Sequence, residues 1–176
     1  MAGRPRAGPV TAQGGRDRDA AGRAMNARPR DGLGRPLPRT ADAEVPRIPD
    51  DLVVSPAEAA ELGGRLLAEG RPFHAHEVFE AAWKSLQGQE RELWRGLAQI
   101  AVGLTHARRG NARGAVTLLR RGAGNAAAFA GAASEVDAAY VAAQAEAIAH
   151  RIERDGLASV REAELRLRLG ASHSPE

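Results

Sequence analysis

The chain of 176 residues contains no cysteine, which excludes a disulfide framework, a thiolate zinc site and a cysteine nucleophile. Aromatic residues are nearly as scarce, at 3% against 43% hydrophobic overall. A core built from Ala, Leu and Val suits closely packed helices, whereas a β-sandwich draws on aromatic side chains. No apolar run approaches the roughly 20 residues that a membrane span needs, and the N-terminus lacks the apolar centre of a secretory signal. A soluble, cytoplasmic protein with no membrane partner is expected. Strand signals are missing too, so no sheet is expected.

What is present divides the chain into three. Residues 1–49 are rich in Arg, Gly, Pro, Ala and Asp, with few large apolar side chains and no periodicity. Such a segment cannot offset the entropy of ordering, and a disordered tail is expected. The formal charge of +3 and the pI near 10.4 are carried largely by its arginines. They imply weak attraction to polyanions, but without stacking aromatics a specific nucleic-acid arm is not expected. Met25 within it is a second candidate start of translation. Residues 50–169 form the expected all-α domain, a compact bundle of five to six helices in antiparallel hairpins. Residues 170–176 read as a loose C-terminal tail.

Helix boundaries follow from capping chemistry. Ser55-Pro56-Ala57-Glu58 is a capping box with proline at the first helical position, and the first helix ends near Gly70. Pro72 opens the second, which places Ala75, Phe79, Ala82, Trp83 and Leu86 on one face and is closed by Gly88. The third, from about Gln89 to Arg109, is apolar around most of its circumference and should be central. Gly110 and Asn111 then supply a C′ residue and an N-cap, so a fourth helix follows a tight turn with Ala115, Leu118 and Leu119 inward. An alanine-rich stretch extends it past Gly124. Ser134 is the expected cap of a fifth helix carrying the stripe Val141, Ala145, Ile148 and Ile152, which Gly156 ends. A capping box at Ser159 predicts a short sixth helix to about Leu169.

Polar side chains interrupt the second helix in the stretch FHAHEVFEAAW, from Phe73 to Trp83. His76 and Glu80 are four apart and Trp83 is seven from His76, so the three share an edge. His74 points to the opposite side, and Glu77 with Lys84 falls on the more exposed surface. On the third helix, Arg95, Gln99 and His106 occupy a narrow arc beside Gly103, a small residue that leaves room for a backbone, a water or a ligand. Antiparallel neighbours would let the two edges meet, with Glu80 and Arg95 as the expected ion pair.

Three readings of such a cluster stand side by side. The polar groups can simply satisfy one another and fix helix register. A divalent metal ion would use His76 and Glu80 at i and i+4 with His106 as third ligand, although a nearby arginine opposes a cation. A polar or anionic small ligand would use Arg95, Gln99 and the imidazoles, with Glu80 as the candidate general base. The HExxH pattern is absent, because His76-Glu77 continues Val78-Phe79-Glu80, and no serine stands in a nucleophile elbow.

Three motifs in order, HxxxExxW at His76, Glu80 and Trp83, WRGLAQIAVGLTH from Trp94 to His106, and RGNxxGAxxLL from Arg109 to Leu119, resemble the domain of unknown function family 309. The resemblance spans about Leu66 to Gly122. It implies a compact helical bundle of the kind found in bacterial and plastid-type proteins, brings no substrate, and singles out His76, Glu80, Trp83, Arg95, Gln99 and Asn111. The Gly110-Asn111 hairpin also resembles one tetratricopeptide unit. This makes a noncatalytic scaffold with a protein partner the alternative to a ligand or metal site, although only one such unit is visible where a solenoid needs about three.

Overall fold

Ser55 accepts a hydrogen bond at its side chain from Glu58 N while Glu58 Oε2 accepts from Ser55 N at 2.8 Å, so the first helix begins where the capping box placed it. A computed structural model describes residues 29–38, 40–41, 48–49, 51–129 and 135–170. Among them are five α-helices: α1 Pro56–Ala68, α2 Pro72–Ser85, α3 Gly88–Arg108, α4 Ala112–Ala127 and α5 Ala138–Asp155. They pack in chain order, each helix against its predecessor, with the most extensive interface between α3 and α4. The described residues contain no strand longer than one isolated bridge, between Arg30 and Pro36. The molecule is all-α.

Packing follows side-chain size. Phe79 of α2 and Trp94 of α3 are fully buried with ring centroids 6.0 Å apart, a pair contributing about 1 kcal/mol beyond its area. Phe79 fits because Gly63 of α1 faces it, where a Cβ would lie 2.1 Å from the ring. The α3–α4 seam is tighter still. A Cβ on Gly96 would come within 2.8 Å of Gly122 O, and one on Gly122 within 2.6 Å of Gly96 O, so the two backbones touch. Gly103 repeats this seven residues on, against Leu119 and Ala115, which keeps the small residues on one stripe. α3 thus buries opposite faces against α2 and α4.

The α3–α4 turn is built as the sequence implied. Gly110 adopts φ +81°, and Asn111 Oδ1 accepts from Gly114 N at 2.9 Å. The fifth helix also carries its expected stripe of Val141, Ala145, Ile148 and Ile152, all buried.

Elsewhere the chain departs from expectation. The N-cap of α5 is Asp137, which accepts from Tyr140 N at 2.9 Å; Ser134 lies outside the described residues. Gly88, at φ +70°, opens α3 rather than closing α2, and Leu118 is only half-buried. No sixth α-helix forms. Two 3-10 turns, Leu157–Ser159 and Glu162–Leu165, stand in its place, and the capping interaction falls on Arg161 and Glu164. Leu165, Leu167 and Leu169 are all buried; a two-residue alternation suits an extended segment laid on helices better than an α-helix.

The N-terminal expectation also changes. Residues 1–28 of the expected tail, with Met25 and most of the arginines, lie outside the described residues, as do 171–176 at the other end. Residues 29–38 form a closed turn. Asp31 Oδ1 accepts from Leu33 N at 2.9 Å and Arg35 N at 2.8 Å, and Leu37 N donates to Pro29 O at 2.7 Å. The turn seats on the bundle through Arg109 Nε, which donates to Leu33 O at 3.0 Å, and through Gly34, packed on the Phe73 ring. Low hydrophobicity predicts disorder only when no partner supplies the missing contacts, and here α2 and α3 supply them.

Candidate functional site

The polar edge of α3 turns away from α2. Asn125 of α4 donates from Nδ2 to Gln99 Oε1 at 2.9 Å. Asn111 Nδ2 lies 2.9 Å from His106 Nδ1; since the same amide accepts from Gly114 N through its oxygen, its nitrogen donates and the His106 proton sits on Nε2. Gly114 is required beside this contact, because a Cβ there would stand 2.9 Å from His106 Nδ1. Arg95, half-exposed, pairs with Glu92 at 3.2 Å. The expected Glu80–Arg95 pair therefore does not form, and the space beside Gly103 is taken by α4.

The same geometry separates the three residues of the expected metal set. His106 is committed to the α3–α4 turn, so it does not join His76 and Glu80. Among the described residues no group of three or more His, Asp or Glu side chains is gathered to hold an ion.

His76 and Glu80 do come together, on the outer face of α2. Nε2 of His76 stands 3.7 Å from one Glu80 oxygen, and Lys84 Nζ stands 3.0 Å from the other. The spacing i, i+4, i+8 makes this a line of three along one helix face. Burial lowers the proton affinity of His76 below its ordinary value of 6.5; Glu80 opposes this, Lys84 reinforces it, and the Ala98 carbonyl of α3 favours the charged ring. Nδ1 itself is buried without a hydrogen bond of ordinary geometry. A neutral imidazole beside a carboxylate is a proton acceptor at neutral pH.

This line borders a cleft of about 660 Å³. From α2 it receives Phe73, His76, Glu77, Glu80, Ala81, Lys84 and Ser85, residues spaced three and four apart along one face; Arg30, Ile48, Pro49, Asp51, Leu52 and Val53 line it from the segment before α1. Sequence reasoning missed the second set, and it ranked Glu77 as solvated surface. The available signal was the outer stripe of α2, which continues past the HxxxE pair in both directions.

Two residues of the motif play packing roles. Trp83 is half-buried beneath the Arg91 guanidinium, 4.7 Å from its ring centroid, and stands outside the lining of the cleft. His74 is buried against the edge of Phe73, with centroids 5.5 Å apart. Its proton affinity is lowered by burial and by Arg71, with Asp31 opposing.

The fold and these motifs define a small helical bundle with a polar cleft on its second helix. The family model described as Domain of unknown function (DUF309) matches residues 61–118, about a third of the chain, from within α1 to within α4. The chain thus contains a DUF309 helical domain, in agreement with the resemblance read from its motifs. No curated protein and no solved structure matches it. Among the described residues no helix is long and apolar enough to cross a membrane.

Proposed function

We propose that the protein binds a small polar organic ligand in the α2 cleft, with His76 and Glu80 as its proton-handling pair. The observation that carries this reading is the cleft itself: a neutral imidazole and a carboxylate stand together on the wall of a cavity in the size range of small-molecule sites. His76 accepts a proton or hydrogen bond from the ligand, and Glu80 stabilises the imidazolium that results. Arg95, Gln99 and His106 have no part in it. The scaffold alternative would be favoured by an exposed apolar groove, but the large exposed hydrophobics among the described residues are Val53 and Tyr140 alone, one on the cleft and one on α5.

A thermal-shift screen of amines, amino acids and carboxylates tests the reading. A ligand at 100 times its Kd stabilises the protein by about 2.7 kcal/mol. That gain should vanish in His76→Ala and Glu80→Ala and survive in Arg95→Ala. A compound that stabilises wild type and both cleft variants equally binds elsewhere and sinks the proposal.

A further inference from the structure

A second cavity, of about 550 Å³, opens between the N-terminal half of α4 and the last turn of α5. It shares no residue with the α2 cleft, and its volume falls in the range of small-molecule sites. Its floor is apolar. Ala112 and Val116 are half-buried, Ile152 is buried, and all three join the hydrophobic core.

Three charged side chains line the same cavity, and two of them cancel. Arg120 donates through Nη1 and Nη2 to the two oxygens of Glu153, at 3.0 and 2.7 Å, while its Nε faces Glu146 at 3.8 Å. Both members of that bidentate pair are committed. Arg113 is different. It is exposed, α4 holds no acidic residue that could reach it, and among the described residues its guanidinium meets no carboxylate, carbonyl or ring. Thr117 donates its hydroxyl proton to Arg113 O at 2.9 Å, so it has no hydrogen to offer a ligand. Arg113 is the donor that remains.

An apolar floor with an uncommitted cation beside it and no uncommitted carboxylate selects the charge of its complement. An amine would find Glu153 already taken by Arg120, and a neutral apolar molecule would leave Arg113 to water. We propose that the α4–α5 cavity is a second ligand site and takes a small carboxylate with an aliphatic body. The carboxylate pairs with the Arg113 guanidinium, which matches it in shape as well as charge. The aliphatic chain covers Ala112, Val116 and Ile152.

Four probes separate the contributions: hexanoate, 1-hexanol, which lacks the charge, hexylamine, which reverses it, and acetate, which lacks the chain. Each is titrated into the full-length protein while the methyl resonances of Val116 and Ile152 are followed. Hexanoate should bind about fivefold more tightly than 1-hexanol, the upper range for an ion pair open to solvent. Acetate should leave both methyls in place at concentrations where hexanoate saturates them. Arg113→Gln removes a side chain that the fold does not use, so it should keep the wild-type urea midpoint, lower hexanoate to the affinity of 1-hexanol and leave 1-hexanol unchanged. Val116→Thr should weaken hexanoate and 1-hexanol alike. Equal binding of these two to wild type, a hexanoate preference that survives Arg113→Gln, or tighter binding of hexylamine overturns the carboxylate site at Arg113. If no probe shifts Val116 or Ile152, the cavity is not a site for such ligands at all. The α2 cleft is read separately, from His76, and stands or falls on its own.

Discussion

Between α3 and α4 the backbones touch, whereas along the outer face of α2 the side chains stand around open space. Both regions carry polar residues of the same motifs. In the seam those residues have partners across a small gap: Gln99 with Asn125, and His106 with Asn111. On α2, His76 and Glu80 meet each other at 3.7 Å and then the cleft. A polar side chain next to glycines on a central helix is held in place by the helix that the glycines admit. The polar side chains on the outer face of α2 border open space instead.

The largest test of this contrast uses two glycines of α4. In an exposed helix Gly→Ala gains about 0.5–1 kcal/mol. Gly124→Ala should show that gain, since its Cβ meets nothing within 4 Å. Gly122→Ala should instead cost about 2 kcal/mol, because the new methyl collides with the Gly96 carbonyl. Urea denaturation of the two variants decides it, and a gain at both positions would mean the seam is looser than described.

A smaller effect, on the α2 side, is read by pH. His74 and His76 both hold protons less tightly in the folded state than their ordinary 6.5, so the unfolded chain takes up protons first as pH falls. Stability should be full above about 6.5 and decline below it as pH passes through the folded-state values. His76→Gln should flatten this decline below about pH 6.5, measured by urea midpoints. An unchanged slope in His76→Gln would place that ring in a wetter environment.

The smallest effect sharpens the site itself. Lys84 is mostly exposed, and Lys84→Ala should move stability by less than about 0.5 kcal/mol. It should still raise the proton affinity of His76, which Lys84 now opposes. Titration of the His76 ring by NMR measures this directly; a downward move would show that Lys84 acts chiefly by holding Glu80 in place.

The helices were readable because caps and periodicity are local. Ser55 with Glu58, Gly110 with Asn111, and the α5 stripe needed no distant partner. The α3 arc was harder, because periodicity gives a residue its direction from the axis and does not say which neighbour stands there. α3 is flanked on both sides, and α2 looked as good a partner as α4. Gly96 and Gly122 held the answer, since glycines facing one another at matched spacing mark the closest backbone approach. The turn at residues 29–38 could not be read at all from its own composition. Its order depends on Phe73 and Arg109, about 40 and 75 residues further on.

The segment after α5 has a consequence for how the molecule is made. Leu169 lies against Gly64 of α1, Glu162 pairs with Arg108, which also donates to Gly70 O between α1 and α2, and Arg168 exchanges two hydrogen bonds with Gln144 of α5. Every one of these attachments reaches back to a part synthesised earlier. A chain halted after Asp155 carries all five described helices, yet lacks the Leu169 contact on α1 and the Glu162 partner of Arg108. The last described segment is thus the latch on the first described helix, and cutting the chain after Asp155 would release it.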